Sequence, residues 1–526
     1  MTTFSTAHDP WIPVMAADGE RLVSLREALC DAHSLTGLAT GDPLADVALT
    51  RIMVALLLRT HPIDGADDLA DLLAVGHLDT DAITTYLDHN AERFDVFGNH
   101  PWMQGKALSP MSGKGHGSTN TLRLEAPSGN NVPLFATALA PHAAPMTLPQ
   151  ALVRMLTIQA WDTAGIKTGM AGDPQAKAGK TTGNRTGLLG SLGVVLLLGR
   201  TLFDTLVLNT PADAPDDGND KPAWEHDTDV TWQTRPAHGP MDLLTWQSRR
   251  IELITNGDTV IGALVGAGDR ITLLDPAVEP HTRWRAVTGR DVPHTPVRWQ
   301  PGRSAWRGLE SLVALQPTPD KLTASHTVRQ LAELEDELGL DYPLRALCVG
   351  VEYGSQSAVV ESVMVDQLPL PLAAVRVDTN PHVAAAIGEL SRVAEAIRRA
   401  LNDLDSNVRK AQGGDKLGWD QGRHPGDEAM SQLTLPTHRL LTGLQTHPDQ
   451  VAELMAAWRA EVRRITLAVA DTICDGANPN AFAGRAITLA DAEAWFRKTL
   501  HEHLPWQAPP PIADTQEGLD EDKETR

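Results

Sequence analysis

Cysteine is scarce in this chain. Only three cysteines occur among 526 residues, Cys30, Cys348 and Cys474, and they lie far apart in the sequence. No CxxC pair is present, so a disulfide framework is not expected. This cysteine usage fits the reducing cytoplasm.

Long apolar runs are also absent. No run reaches the ~18 residues that a membrane helix needs. The best candidate, residues 52–58, is seven residues long and lies between Arg51 and Arg59, which predicts a core helix instead. The first residues, MTTFSTAHDPW, lack the basic and apolar parts of a signal peptide. We therefore expect a cytoplasmic protein with no membrane partner.

Catalytic signatures are missing as well. Neither the HExxH zinc motif nor the GxSxG nucleophile motif occurs. His501 and His503 are two residues apart, a spacing that points them to different sides of a helix. These absences favour a scaffold or recognition subunit over an enzyme, and they predict no cofactor.

Positive charge is in deficit, since the formal net charge is -22. This value argues against non-specific coating of nucleic acid. The acid residues could serve only solubility. Alternatively, a negative body with a few basic loops would suppress random DNA binding and restrict contact to chosen places.

One basic island stands out against that background. Residues 165–193 contain eight glycines, four lysines or arginines, and a single acidic residue, Asp173. Glycine lets a backbone approach a ligand closely, and Lys and Arg attract phosphate. The segment therefore predicts backbone contact with a polyanion.

A nucleotide-binding P-loop is one alternative for this island, because Gly179-Lys180-Thr181 supplies its GK[ST] ending. The motif also needs a glycine five positions earlier, where Pro174 stands, and a preceding strand. Thr147 and Gln150 instead form a capping box that predicts a preceding helix. A nucleotide- or metal-dependent enzyme using residues 165–193, a plain flexible loop, and a scaffold without DNA contact remain alternatives.

The order of elements predicts an α+β fold. A buried helix at residues 44–58 and short β-compatible runs at 251–254, 260–265 and 271–274 indicate a large mixed α/β N-terminal domain, residues 1–372. A chain of this length can bury more than one core.

Helical stripes dominate the remainder. A heptad seam covers residues 383–404, and a second helix within 427–445 is interrupted by Pro436. Two more striped helices follow, so a C-terminal four-helix bundle at residues 378–508 is expected. Residues 509–526 are predicted to form a disordered acidic tail.

Five motifs, in order along the chain, resemble the CasA family, the large subunits of type I-E CRISPR Cascade complexes. They are DPWIPV with VSLREA at 9–28, FDVF at 94–97, HPWMQ at 100–104, LFDTLVLN at 202–209 and LTWQSRR at 244–250. The resemblance covers nearly the whole chain and places a four-helix bundle at its C-terminal end.

The resemblance implies a non-catalytic subunit at the crRNA 5′ end of the complex. It implies that the chain recognises the protospacer-adjacent motif (PAM) of double-stranded DNA from the minor groove. It further implies that the chain promotes duplex opening and R-loop formation, contacts other Cascade subunits and recruits a helicase-nuclease.

The resemblance also implies three DNA-binding elements. The first is a glycine loop, followed by a basic run that includes Arg185; its members here are Gly179, Lys180, Thr181, Thr182 and Gly183. The loop departs from the family by its three central residues. A connection that only ties two core elements is the alternative.

The second element is a basic finger in a β-hairpin, matched here by Arg270, where the family has lysine. A plain hairpin-tip arginine is the alternative. The third is a wedge, Gln356, in the turn Tyr353–Ala358. Residues 109–133 match a mobile loop that contacts the crRNA end and a neighbouring subunit. The zinc cluster of some members has no counterpart here, so no metal is implied.

Overall fold

The computed structural model describes residues 3–113, 116–126, 143–288, 293–334, 337–415, 421–484 and 486–505. The predicted tail, residues 509–526, lies outside these ranges, and so does part of the predicted loop 109–133. The described part of that loop carries a short strand and a buried 3-10 turn, in which the Thr119 hydroxyl donates to the Ala144 carbonyl at 2.8 Å.

Strands and helices alternate irregularly through the first 380 or so residues, as the α+β class requires. The described strands are Ile12–Ala16 (β1), Gly19–Val23 (β2), Leu35–Leu38 (β3), Gly117–Ser118 (β4), Met146–Thr147 (β5), Gly165–Thr168 (β6), Lys180–Asn184 (β7), Val194–Leu198 (β8), Thr234–Arg235 (β9), Arg249–Asn256 (β10), Thr259–Ala267 (β11), Arg270–Ile271 (β12), Trp284–Ala286 (β13), His294–Pro296 (β14), Leu322–Thr323 (β15), Arg345–Tyr353 (β16) and Val360–Pro369 (β17).

The described helices are Leu25–Cys30 (α1), Pro43–Thr60 (α2), Ala66–Val75 (α3), Thr80–His89 (α4), Leu148–Trp161 (α5), Leu202–Leu208 (α6), Pro240–Leu244 (α7), Leu309–Leu312 (α8), His326–Gln330 (α9), Leu372–Val375 (α10), Pro381–Ala411 (α11), Pro425–Gln432 (α12), Thr434–Thr446 (α13), Val451–Asp475 (α14) and Leu489–His503 (α15). None of the described helices is long and apolar enough to cross a membrane.

Local sequence signals explain several boundaries. The capping box of Thr147 and Gln150 starts α5, as predicted, and a second one of Thr488 and Asp491 starts α15. Pro436 lies in the first turn of α13, where its missing N–H costs nothing, so the break falls before it at Leu433.

Five small sheets are present among the described residues. One has the order β10-β11-β6-β7, with β4 and β5 also paired to β11, and another has the order β17-β16-β8. The strand predicted at 271–274 is wrong beyond its first residue. Only Arg270 and Ile271 pair, with β9, and the chain then turns away toward Asp275-Pro276.

By its contacts the chain divides into two compact units. The first contains Met1–Ser391 and Thr434–Met455; the second contains Arg392–Leu433 and Ala456–Arg526. This division departs from the predicted boundary near residues 372–378, because α13 packs on β17 of the first unit. Gln445 of α13 also donates to the carbonyls of Tyr342 and Leu344 at 2.8 and 2.9 Å.

The predicted core helix is α2, which is buried over most of its length. Its Arg51 makes a two-pronged ion pair with Glu279, with both N–O distances at 2.9 Å and both side chains almost fully buried. Burial alone would raise the pKa of Glu279, but Arg51 holds it below its ordinary value. The pair therefore stabilises the fold above the unfolded carboxyl pKa, and the stabilisation is lost as pH falls.

Glu279→Gln should lower the free energy of unfolding by about 3 kcal/mol, because it leaves the buried Arg51 guanidinium without its counter-charge. Chemical denaturation at neutral pH measures the effect. Glu310→Gln, at an exposed position, is the matched control and should change little. Equal stability of the two variants would show that the buried pair contributes nothing.

Candidate nucleic-acid interface

The basic island folds as an antiparallel hairpin of β6 and β7, called here the glycine hairpin (residues 165–184). At its tip, Lys177 and Lys180 exchange backbone hydrogen bonds of 2.8 and 3.0 Å. The two residues between them, Ala178 and Gly179, both have positive φ, 50° and 74°. Such a two-residue turn matches the strand twist and brings the two exposed lysines opposite each other.

The inner side of the glycine hairpin is held by Asp173. Its carboxylate accepts from the Thr181 hydroxyl and from the Trp232 indole N–H, each at 3.2 Å. Thr181 is therefore buried, with its hydroxyl occupied, whereas Thr182 is exposed on the opposite side of the strand. Of the two threonine hydroxyls predicted to contact DNA, only that of Thr182 faces solvent.

Arg270 lies against β7. Its Nη2 donates to the Thr182 carbonyl at 2.8 Å and to Asn184 Oδ1 at 3.1 Å. Its guanidinium sits over the Trp232 ring, 3.9 Å from the centroid. Gly183, at φ 70°, borders the same guanidinium, since a Cβ there would lie 3.6 Å from Nη1.

The predicted hairpin position of Arg270 is wrong. The turn of the β10–β11 hairpin lies at Gly257-Asp258, at the far end of β11. Arg270 instead opens β12, which pairs in parallel with β9. After Ala267 the chain continues beside Gln247, whose carbonyl accepts from the Asp269 amide at 2.9 Å, and Gly268 lies so close to Arg249 that a Cβ would be 2.3 Å from its amide nitrogen.

A buried ion cluster anchors these elements. Asp162, just after α5, contacts Lys167 Nζ of β6 at 2.5 Å and also accepts from Arg249 of β10. Burial lowers the pKa of Lys167, and against the effect of burial the two cations hold the pKa of Asp162 below its usual value. Arg249 Nη2 also donates to the carbonyls of Thr163 and Arg185, at 2.9 and 2.7 Å.

Arg185, one residue beyond β7, is exposed. Its Nη1 donates to the Ile271 carbonyl at 2.9 Å, which ties the glycine hairpin to β12. Arg185 and Arg270 border one cleft, whose wall also includes Arg249 and Thr272.

Gln356 occupies the turn between β16 and β17. Gln356 and Ser357 both have positive φ, 55° and 53°, which is uncommon for residues other than glycine and marks a strained turn. The Ser357 carbonyl accepts from the Ala164 amide at 2.8 Å, directly before β6. Gln356 itself is exposed.

The structure thus joins all three predicted elements through hydrogen bonds. The turn of Gln356 is bonded to the start of β6, β6 pairs with β7, and β7 holds Arg270. Gly179 and Lys180 lie at the other end of the hairpin from this junction.

The P-loop alternative is wrong in geometry. Lys180 and Thr181 begin strand β7, whereas the P-loop lysine begins a helix whose N-terminus cradles the phosphates. No group of three or more His, Cys, Asp or Glu that could hold a metal occurs within the ranges that the structure describes.

Four residues that build the candidate interface were not identified from the sequence: Lys167, Lys177, Trp232 and Arg249. Lys177 was counted in the basic island but not placed beside Lys180. Arg249 lies in the LTWQSRR motif, which gave no hint of its buried role. Nothing in the local sequence singles out Trp232, because its partners lie about 40 to 60 residues away.

Comparison with known proteins identifies the family. The family model of the CRISPR-associated protein Cse1 matches residues 7–469. The chain belongs to the Cse1 family. The resemblance to CasA, large subunit of the type I-E Cascade complex, is thereby confirmed.

Individual relatives agree with this assignment. CasA/Cse1 of Thermus thermophilus is 26% identical over 452 residues, 83% of this chain and 84% of that protein. The crystal structure of Thermobifida fusca Cse1 is 28% identical, with a TM-score of 0.85 over 96% of this chain and 98% of the other. A chain from a structure described as a CRISPR RNA-guided surveillance complex shares the fold, with 20% identity and a TM-score of 0.69 over 90% of this chain and 100% of the other.

Proposed function

We propose that this Cse1 protein is a DNA-recognition subunit of a crRNA-guided Cascade complex. Its glycine hairpin, Arg270 and Gln356 bind the PAM of double-stranded DNA from the minor groove and help to open the duplex. Family membership supports a place in a Cascade complex, and so does the fold shared with a chain of an RNA-guided surveillance complex.

The observation that carries this proposal is the convergence of the three elements. Arg270 and Gln356 are 86 residues apart in the sequence, yet each is attached to the glycine hairpin. A loop that only connected two core elements would not need Arg270 and the turn of Gln356 attached to it.

Electrostatics supports a polyanionic ligand. Within a chain of net charge -22, the hairpin and its surroundings gather Lys177, Lys180, Arg185 and Arg270. Burial, then the neighbouring cations Arg185 and Arg249, lower the pKa of Arg270. A phosphate group beside them would relieve this mutual repulsion.

Steric fit supports the minor groove, which is about 6 Å wide in B-DNA. The exposed edge of β7 at Thr182 and Gly183 carries a short hydroxyl side chain and no side chain at all. Arginine suits a narrow minor groove, where the negative potential is enhanced.

Gln356 fits the role of a wedge. Side chains inserted at a base step unstack it at a cost of a few kcal/mol, which must be supported by a rigid base. The β16–β17 hairpin supplies that base, with eight consecutive register pairs from Arg345 to Glu352, one further pair beyond a bulge, and a turn bonded to Ala164.

The other proposed partners of the chain are the crRNA 5′ end, other Cascade subunits and a recruited helicase-nuclease. The proposed result is an R-loop, and the chain itself catalyses no reaction. The deciding experiment reconstitutes the complex with and without this chain and measures binding of duplexes with and without PAM. PAM-dependent binding that needs the chain is expected. Binding that is equal with and without it would leave only a scaffold.

Gln356→Ala should weaken binding of fully paired PAM duplexes about tenfold, or about 1.4 kcal/mol. Targets already unpaired in the protospacer should bind as they do to the unmodified protein, since no step remains to be opened. Gel-shift titration of both targets measures the difference. Ser355→Ala, in the same turn, is the control. Equal losses on paired and unpaired targets would rule out a wedge.

Replacing Lys177 and Lys180 together with alanine should reduce the salt dependence of duplex binding by about one to two counterions. The two-residue turn places both ammonium groups at the hairpin tip, where they can neutralise phosphate. Titrations across a range of salt concentrations give the slope. The matched control replaces Lys410 and Lys498, two exposed lysines of the second unit. An unchanged slope would mean that the hairpin tip does not contact the DNA backbone.

Gly183→Asp and Gly183→Asn form a matched pair, because both side chains have the same size and tolerate positive φ. Both should lose about 1 kcal/mol of stability or less. Only Asp places a carboxylate beside Arg270 and the phosphates, so it should bind PAM duplexes at least tenfold more weakly than Asn. Thermal melting and duplex titration measure the two effects. Equal duplex binding by the two variants would contradict a DNA contact at this site.

A further inference from the structure

Trp232 holds together both sides of the interface and belongs to none of its three elements. The side chain is buried, at 4% exposure. One face of its ring carries the Arg270 guanidinium, 3.9 Å from the centroid, and its indole N–H donates to Asp173 at 3.2 Å. Through Asp173 the same residue fixes the Thr181 hydroxyl in β7.

These contacts fix the orientation of the Arg270 guanidinium. Two hydrogen bonds from Nη2, to Thr182 and Asn184, fix its rotation within the plane. The Trp232 ring fixes the plane itself. Nε is buried without a hydrogen-bond partner among the described residues, so the aromatic face compensates for part of the lost hydration.

Only the Nη1 edge is left for a ligand. Nη1 makes no hydrogen bond within the described part of the chain, and this edge borders Gly183, which has no side chain to cover it. The guanidinium is therefore held in place with its Nη1 edge beside Gly183, where no side chain covers it.

Trp232 is itself firmly held. Its carbonyl accepts from Gln175 of the glycine hairpin at 3.0 Å. The residues before it are fixed by Arg250, whose Nε donates to the carbonyls of Asp229 and Thr231 at 3.1 and 3.0 Å. The tryptophan can thus serve as a rigid base for the arginine.

We infer that Trp232 is the positioning residue of this interface: it presents the Nη1 edge of Arg270 to DNA and aligns β7 beside it. This inference rests on the proposed function of the site. The ring supplies the support for Arg270, and the indole N–H supplies the link to β7.

Two substitutions of Trp232 separate the contribution of the aromatic ring from that of the indole N–H. Trp232→Phe keeps an aromatic face under Arg270 and loses the N–H, whereas Trp232→Leu loses both. In the assembled complex, PAM-duplex affinity should fall about tenfold for Leu and no more than about threefold for Phe. In an Arg270→Ala background, the two substitutions should have the same small further effect, no more than about threefold, because only the indole link to β7 is left to lose.

Hydrogen exchange of the free full-length chain provides a readout without DNA. The amides of residues 182–185 should exchange faster in Trp232→Leu than in Trp232→Phe, while those of β16 and β17 stay unchanged. Unchanged exchange in both variants, or additive losses in the Arg270→Ala background, would overturn the positioning role. If exchange rises as expected but Arg270→Ala alone leaves duplex affinity unchanged, the positioning role stands and the proposed DNA contact of Arg270 falls.

Discussion

The carboxylate of Asp162 is the interaction on which the rest of the interface depends. It is buried between Lys167 and Arg249, and so it joins the end of α5 to two strands of one sheet. Removing one partner from such a buried cluster typically costs about 3–5 kcal/mol, because the remaining charge is uncompensated. The glycine hairpin thus has a fixed base although its tip is exposed, and the position of Arg185 follows from the bond between its carbonyl and Arg249.

Elements governed by neighbours in sequence could be predicted. The capping box at Thr147, the buried helix α2 and the α+β class follow from short-range periodicity and caps. The glycine and lysine content of residues 165–193 was enough to select the segment as a candidate site. The two strands in that segment, β6 and β7, were not predicted.

Contacts between residues far apart in the sequence could not be predicted. Composition does not show that Trp232 lies beneath Arg270, or that Asp173 occupies the hydroxyl of Thr181, because each contact joins separate parts of the fold. Arg270 was placed on a hairpin by the resemblance to the family. In the structure β12 pairs in parallel with β9, residues 234–235, and no local sequence pattern predicts that pairing. The first unit also includes α13, since packing on β17 outweighs the continuity of the helical region.

That division of the chain has a consequence for synthesis on the ribosome. Because residues 434–455 complete the first unit, that unit stays unfinished while the intervening segment 392–433 emerges. At about 5–20 residues per second, translation gives the N-terminal sheets several seconds to form before their last helix arrives. The exposed face of β17 that receives α13 is then open to misassociation, and a chain cut short near residue 430 would carry that face uncovered throughout its lifetime.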